Sequence, residues 1–230
     1  MKEKVFFTSG SNVLAAAVYL PEKKKKNIGL LFLHGGGSAA KERYSTLQEF
    51  LAGKGYPSFA FDFQGVGESN GTFTEGTLRN RMADAVRAFE AFSNYVPTII
   101  PVGCSMGGHV AVRLTEEKHV PGLILLYAAA YPEEAEDKPL NEAFTNSIRN
   151  NERWKGSPVF SVLRQFSGNV LILYGEHDTV IPKGVQTMYN SSVTGTRRFA
   201  VIPNAPHLLL SEEASRKAVY NEIDSFLYTI

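Results

Sequence analysis

The chain has 230 residues, of which 43% are hydrophobic and 20% charged, and its formal net charge is +1. This composition is typical of a globular protein with a full apolar core, and the length fits a single domain over residues 1–230. A net charge so close to zero gives no indication of a nucleic-acid partner or of an acidic tail, so no nucleic-acid partner is expected.

The single cysteine, Cys104, excludes an intrachain disulfide and a zinc cluster built from thiolates. Residues 1–8 lack the apolar core of a signal peptide, and the apolar runs at 13–20 and 123–130 are too short to span a membrane. We therefore expect a cytoplasmic protein with no membrane partner. A homodimer is left open, because nothing in the sequence sets the oligomeric state.

In chain order, the first elements are strands at 4–9 and 12–20, which a tight turn at Gly10 and Ser11 joins into an antiparallel hairpin. The continuous apolar run at 28–33 predicts a strand buried on both faces. Helices and strands then alternate. The predicted helices lie at 42–52, 76–95, 106–118, around 186–190 and at 211–228. The remaining predicted strands lie at 57–61, 98–102, 123–127, 170–174 and 197–202.

Alternating strands and helices favour a parallel sheet covered on both faces. We predict an α/β protein with a mostly parallel, eight-stranded sheet flanked by helices. Residues 131–168 interrupt the alternation, because a simple connection between two core strands is much shorter. This segment is either a small lid or an enlarged helical crossover, and we favour a lid of one or two helices.

The sequence Gly-Cys-Ser-Met-Gly at 103–107 follows a predicted strand and precedes a predicted helix. In that context the G-x-S-x-G pattern indicates a nucleophile elbow. Ser105 at the apex must adopt strained backbone angles, and the small residues around it prevent clashes. We predict that Ser105 is a catalytic nucleophile.

A serine hydroxyl needs a base within hydrogen-bond reach and an orienting group behind that base. His207 lies in a turn-rich loop after the last strand, at the carboxyl edge of the sheet, where ligand sites are found. Asp178 follows the strand at 170–174. Ser105, Asp178 and His207 therefore occur in the chain order Ser–Asp–His that catalytic triads built on a nucleophile elbow have. Glu176 and His177 are the neighbouring alternatives.

The three glycines at 35–37 follow the strand that ends at Leu33 and allow close approach of the backbone to an oxyanion. We assign the oxyanion donors as the backbone N–H groups of Gly36 and Met106, with Gly37 as a near alternative. A phosphate-binding loop does not fit, since neither G-x-G-x-x-G nor a P-loop lysine is present here. His34 is expected to order the loop through a hydrogen bond.

Three aromatic residues are candidates for the substrate pocket, although each is equally compatible with the core: Tyr127, Tyr131 and Trp154. Cys104 precedes the apex of the elbow and is expected to be buried and inert. No metal is expected, because no histidines stand in pairs at helical ligand spacing.

Five landmarks occur in order along the chain: residues 34–37, 62–69, the elbow at 103–107, residues 175–182 and the His207 loop. In these the sequence resembles the α/β-hydrolase superfamily, and it is most similar to small feruloyl/cinnamoyl esterases and more loosely to the prolyl-oligopeptidase catalytic domain. Two features depart from that pattern. Gln64 stands where arginine is usual, and residues 131–168 are shorter than the inserted domain of the cinnamoyl esterases.

The resemblance implies acyl transfer by a Ser–His–Asp triad without a cofactor. We expect a serine hydrolase that cleaves small-molecule carboxylic esters of short to medium acyl chain. A thioesterase or a peptidase with the same triad is the alternative, and a catalytically inactive binding protein is the alternative from another class.

Overall fold

The computed structural model describes residues 1–23, 27–37, 40–148 and 152–230. Eight strands are found there: β1 (Lys2–Ser9), β2 (Asn12–Tyr19), β3 (Ile28–Leu33), β4 (Ser58–Phe61), β5 (Thr98–Cys104), β6 (Gly122–Leu126), β7 (Asn169–Gly175) and β8 (Arg197–Ile202). They form one sheet in the order β1-β2-β4-β3-β5-β6-β7-β8. Strand β2 pairs antiparallel with β1 and β4, and all other neighbours are parallel. The predicted eight-stranded, mostly parallel sheet and its N-terminal hairpin are confirmed.

The described residues also contain seven α-helices: α1 (Ser45–Gly53), α2 (Leu78–Ser93), α3 (Met106–Leu114), α4 (Glu142–Ile148), α5 (Pro158–Gln165), α6 (Lys183–Ser192) and α7 (Glu213–Leu227). Helix α3 is shorter than the predicted 106–118. Beyond Leu114 the backbone N–H groups of residues 115, 116 and 117 donate to carbonyl oxygens three residues earlier, so the chain continues in tighter turns instead of α-helix. None of the helices in these ranges has the length and apolar character needed to cross a membrane.

The position of each strand in the sheet explains its pattern of burial. All residues of β3 and β6 are buried, as expected for parallel strands covered on both faces. The N-terminal strand β1 lies at an edge and alternates between exposed and half-buried residues. The apolar core therefore surrounds the central strands.

Strands β3, β5, β7 and β8 are parallel, so their carboxyl ends meet at one edge of the sheet. Leu33 at the end of β3 pairs in register with Gly103 of β5, and Gly175 at the end of β7 pairs with Ile202 of β8. The loops that follow these four strands carry the predicted oxyanion loop, the elbow, Asp178 and His207. The fold therefore brings the four segments to the same edge.

The segment 131–168 contains helices α4 and α5 and two short 3₁₀ turns, Glu133–Ala135 and Arg153–Gly156. The one or two helices predicted here are confirmed, although residues 149–151 lie outside the described part of the chain. A lid function for the segment stays a prediction, as does the assignment of residues 1–230 to a single domain.

Candidate active site

Ser105 lies between β5 and α3 with φ 52° and ψ −119°. A residue with a side chain rarely adopts these angles, so the surrounding structure must hold them. The two flanking glycines leave the required space. A Cβ at Gly103 would lie 2.4 Å from the Gly107 carbonyl oxygen, and a Cβ at Gly107 would lie 2.0 Å from the Leu33 carbonyl oxygen. The strained turn between strand and helix is therefore the geometry that the sequence pattern predicted.

The structure brings the three predicted triad residues into one chain of hydrogen bonds. His207 Nε2 lies 3.3 Å from Ser105 Oγ, and His207 Nδ1 lies 3.0 Å from Asp178 Oδ2. An ionised carboxylate only accepts hydrogen bonds, so Nδ1 carries the ring proton and its N–H donates a hydrogen bond to Asp178. The other ring nitrogen, Nε2, is then free to accept the Ser105 hydroxyl proton.

Asp178 is buried, and its second oxygen accepts hydrogen bonds from the backbone N–H groups of Val180 at 2.8 Å and Ile181 at 3.0 Å. Burial by itself would raise the pKa of Asp178. The hydrogen bonds from His207 and the two backbone groups outweigh burial, and the pKa is lowered. Asp178 is therefore a carboxylate at neutral pH, as the orienting group of a triad must be.

The alternatives Glu176 and His177 do not occupy the place of Asp178. The Glu176 side chain accepts a hydrogen bond from the Asn204 backbone N–H at 2.8 Å, which ties it to the loop that carries His207. The side chain of His177 is exposed. Asp178 is thus the carboxylate that meets the histidine, and Glu176 stabilises the loop.

The loop after β3 lies alongside the elbow. A Cβ at Gly35 would lie 3.2 Å from Ser105 Cβ, and one at Gly36 would lie 3.2 Å from Met106 Cε. Within the described ranges, the backbone N–H groups of Gly36 and Met106 have no protein acceptor. For Met106 this follows from its place at the start of α3, where N–H groups have no partner within the helix. Gly36 and Met106 therefore lie in segments that pack against each other at the elbow, and their role as oxyanion donors stays a prediction.

His34 is fully buried, and both of its ring nitrogens are engaged. Nε2 accepts the Phe63 backbone N–H at 3.1 Å, so Nδ1 carries the proton and donates to the Gly35 carbonyl oxygen at 2.8 Å. Burial and the positive charge of Arg81 lower the pKa of His34 to about 3. A neutral imidazole with two structural hydrogen bonds orders the glycine loop and has no free nitrogen to act as a base.

Cys104 is buried beneath the elbow, and burial raises the pKa of its thiol to about 11. The thiol is therefore protonated at neutral pH and inert, since only a thiolate is a strong nucleophile.

A cavity of about 240 Å³ opens beside Ser105. Among the described residues its walls are formed by Ser105, Ala129, Ala130, Tyr131, Pro132, Ile148, Trp154, Val180, Ile181, Pro182 and Val185. The predicted pocket residues Tyr131 and Trp154 lie in this wall. The position of Tyr127 does not support a place there, because it is 2% exposed and packs edge-on against the His207 ring at 4.7 Å between centroids.

The sequence reasoning missed most of the apolar wall. Val180, Ile181 and Pro182 directly follow the segment that carries Asp178, and this apolar run is a signal that could have identified them. Ile148 and Val185 lie on helices α4 and α6, and nothing in their local sequence distinguishes them from core residues.

Residues 24–155 match the family model described as serine aminopeptidase, S33. A relative named putative esterase/lipase 2, from Mycoplasma genitalium, is 33% identical over 109 residues, which are 47% of this chain and 40% of that protein. The matched region thus spans less than half of the relative's length.

Three solved structures illustrate the likeness in fold. Est1E from Butyrivibrio proteoclasticus, solved with ferulic acid, has a TM-score of 0.77 at 19% identity over 98% of both chains. A CIB-like hydrolase from Thermoplasma acidophilum has 0.75 at 17% identity, over 100% of this chain and 99% of that chain. Proline iminopeptidase from Mycobacterium smegmatis has 0.76 at 15% identity, over 99% of this chain and 98% of that chain. With this α/β-hydrolase fold and a family match over residues 24–155 of 230, the chain belongs to the serine aminopeptidase S33 family of hydrolases.

Proposed function

We propose that this chain is a serine hydrolase that cleaves carboxylic esters of short to medium acyl chain through an acyl-enzyme. The observation that carries the proposal is the pair of contacts made by His207, at 3.3 Å to Ser105 Oγ and 3.0 Å to Asp178 Oδ2. A serine that can lose its proton to an oriented imidazole has the reactivity that acyl transfer needs.

In the proposed mechanism Ser105 Oγ attacks the ester carbonyl carbon while His207 Nε2 takes the hydroxyl proton. Asp178 holds the imidazole and stabilises the imidazolium that forms. The negative oxygen of the tetrahedral intermediate accepts hydrogen bonds from the N–H groups of Gly36 and Met106. His207 then donates its proton to the departing alkoxide, and later activates the water that hydrolyses the acyl-enzyme.

The proposed substrate class rests on the size and chemistry of the cavity. Its volume of about 240 Å³ lies below the roughly 300–1,000 Å³ of pockets for drug-sized ligands, which favours a small acyl or alcohol group. The described wall residues include no charged side chain. An uncharged apolar group is therefore the preferred occupant, because a buried charge without a partner is costly.

The same observation weighs against an aminopeptidase, despite the name of the family. An aminopeptidase must bind a protonated α-amine, which calls for a carboxylate or several carbonyl acceptors near the nucleophile. The buried carboxylates closest in sequence to the wall are already paired, Asp178 with His207 and Glu136 with His109 at 3.0 Å. A thioester is as uncharged as an ester, so thioester hydrolysis is the alternative that the cavity does not disfavour.

A fluorophosphonate probe tests the nucleophile. We expect covalent labelling of the wild type and of Cys104→Ala, and no labelling of Ser105→Ala. The same Ser105→Ala variant should lower ester turnover by roughly a million-fold, the scale found when a triad nucleophile is removed. Absence of labelling in the folded wild type would contradict the proposal and favour a binding protein without catalysis.

Matched substrates then separate the possible activities. The purified enzyme is assayed on an oxygen ester, a thioester and an anilide that carry the same acyl group, with Ser105→Ala as the blank. The highest kcat/KM is expected on the oxygen ester. A clear preference for the thioester or for an aminoacyl anilide would replace the proposed activity by thioesterase or peptidase activity.

A further inference from the structure

Arg81, on α2, is a buried charge that the mechanism above does not use. It is 2% exposed, and its guanidinium lies over the rings of Phe63, at 4.7 Å, and Phe73, at 5.5 Å. Within the described ranges, it forms no ion pair with a carboxylate, and its Nη2 atom is buried without a hydrogen-bond partner. Since an unpaired buried charge is costly, its presence at this place calls for a physical reason.

The hydrogen bond that Arg81 makes points to that reason. Its Nη1 donates to the carbonyl oxygen of Gly35 at 3.1 Å, the same oxygen that His34 Nδ1 approaches at 2.8 Å. Two donors thus converge on one carbonyl of the glycine loop, and one of them carries a full positive charge. The pKa of Arg81 is lowered to about 10 by burial, so the guanidinium stays protonated at neutral pH.

The peptide that joins Gly35 to Gly36 transmits this contact to the active site. No peptide bond in the described chain is cis, and in a trans peptide the C=O and N–H bonds point in opposite directions. With the Gly35 oxygen held by Arg81 and His34, the Gly36 N–H must point away from them. Gly36 lies beside Met106, the other proposed oxyanion donor, where a Cβ at residue 36 would be 3.2 Å from Met106 Cε.

We propose that Arg81 is a positioning residue for the oxyanion hole, which it serves by fixing the Gly35–Gly36 peptide and by placing a buried positive charge behind the Gly36 N–H. A charged donor on a carbonyl oxygen polarises the whole peptide and strengthens its N–H as a donor. The effect is largest when the bound oxygen is fully anionic, so it stabilises the transition state more than the substrate. This inference rests on the proposed function, since it assumes that Gly36 binds an oxyanion.

The test compares Arg81→Met and Arg81→Lys with the wild type on one short-chain ester. Arg87→Met is the matched control, because it removes an exposed arginine from the same helix. We expect Arg81→Met to lower kcat by about 10- to 100-fold, somewhat less than direct loss of an oxyanion donor, while KM changes less than about twofold. Arg81→Lys, which keeps the charge but reaches less far, should fall between Arg81→Met and the wild type. Arg87→Met should keep wild-type kcat.

A trifluoromethyl ketone supplies a readout that a merely structural role would not move, because it binds the serine as a tetrahedral oxyanion. We expect the inhibition constant of the ketone to be higher for Arg81→Met than for the wild type. The factor of this increase should equal the factor by which the substitution lowers kcat/KM. An unchanged kcat, a loss confined to KM, or unchanged inhibitor affinity would overturn the inference. If Arg81→Met does not fold, the kcat, KM and ketone affinity of Arg81→Lys are compared with those of the wild type instead, and the same three results would overturn the inference.

The proposed function and this inference fail in different ways. A wild type that neither hydrolyses esters nor reacts with a fluorophosphonate would refute the function. An active, labelled wild type whose Arg81→Met variant retains full kcat refutes only the role of Arg81.

Discussion

Gly107, in the first turn of α3, lies directly against Leu33 at the end of β3: a Cβ at residue 107 would be 2.0 Å from the Leu33 carbonyl oxygen. The contact is between two backbones, so no side-chain rotation can relieve it. It joins the elbow to the strand that leads into the glycine loop. The distance between Ser105 and the proposed oxyanion donor Gly36 therefore depends on the absence of a side chain at residue 107.

Replacement of Gly107 by alanine tests this contact. We expect Gly107→Ala to be destabilised by about 1–3 kcal/mol or more, because the backbone must shift to admit a methyl group. The urea midpoint and the ester turnover should both fall. Gly53→Ala is the matched control, since a Cβ there meets nothing within 4 Å at the end of α1. Equal midpoints for the two variants would contradict the prediction.

Trp154 is expected to limit the length of the acyl group. It lies in the cavity wall, and a Cβ at Gly184 would lie 2.7 Å from its Cζ2 atom, so Gly184 leaves room for the indole. Trp154→Ala should raise the ratio of kcat/KM for longer acyl chains to kcat/KM for acetyl by roughly 10-fold. This is the lower end of the change in kcat/KM that one methylene group causes in an apolar pocket.

Gly184→Ala should act in the opposite sense, because its methyl group pushes the indole into the cavity. An ester panel of increasing acyl length measures both variants. If the ratio of long-chain to acetyl activity moves in the same direction in both, Trp154 does not set the limit.

Asp178→Asn should lower kcat by about 10⁴-fold with little change in KM, because an amide cannot hold His207 in the tautomer that accepts the serine proton. The control is Glu176→Gln. The glutamine keeps a side-chain oxygen as acceptor for the Asn204 N–H, which Glu176 binds at 2.8 Å, so turnover should stay near the wild-type value. Steady-state kinetics on one ester decides, and comparable losses in the two variants would argue against Asp178 as the orienting group.

The buried His34 should make the protein sensitive to acid. Burial and the charge of Arg81 lower its pKa to about 3 in the folded protein, whereas the ordinary value in an unfolded chain is about 6.5. Between these values the unfolded chain binds a proton that the folded chain excludes. The free energy of unfolding is therefore undiminished above pH 6.5 and falls as the pH decreases, by up to about 2 kcal/mol at pH 5 from this group.

Urea unfolding at pH 7 and pH 5 measures this loss. The glutamine of His34→Gln has no proton to gain. Between pH 7 and pH 5 the free energy of unfolding of this variant should therefore fall by about 2 kcal/mol less than that of the wild type. His119→Gln is the control, because His119 is exposed, and it should keep the wild-type dependence. An identical loss in His34→Gln and the wild type would contradict the prediction.

Lys41 is expected to stabilise the segment that carries Asp62. The lysine is 3% exposed, and its Nζ lies 2.6 Å from Asp62 Oδ2 and 2.7 Å from Glu68 Oε2. Lys41→Met should lower the free energy of unfolding by about 3–5 kcal/mol, because it leaves the fully buried Asp62 without its counter-charge. Lys4→Met, which breaks an exposed pair with the same Glu68, should cost no more than about 1 kcal/mol. Chemical denaturation compares the two, and similar losses would refute the special role of Lys41.

The order of strands and helices, the strained turn at Ser105 and the loops that carry Asp178 and His207 were all predictable from the sequence. These features rest on local rules: apolar periodicity, the space that glycines leave, and the meeting of parallel strand ends at one edge. The inert state of Cys104 and the ordering role of His34 followed from their neighbours in the chain.

The remaining features were decided only by tertiary packing. Helix α3 stops at Leu114, Tyr127 lies beneath His207 instead of in the cavity wall, and the wall itself combines residues from five separate segments. Nothing in the local sequence distinguishes Arg81 from other helical arginines. In the fold, however, it donates a hydrogen bond to the carbonyl oxygen of Gly35, 46 positions earlier in the chain. A local pattern determines whether a residue faces inward, but which distant group it meets there depends on how the sheet and its helices pack, and that is a property of the whole fold.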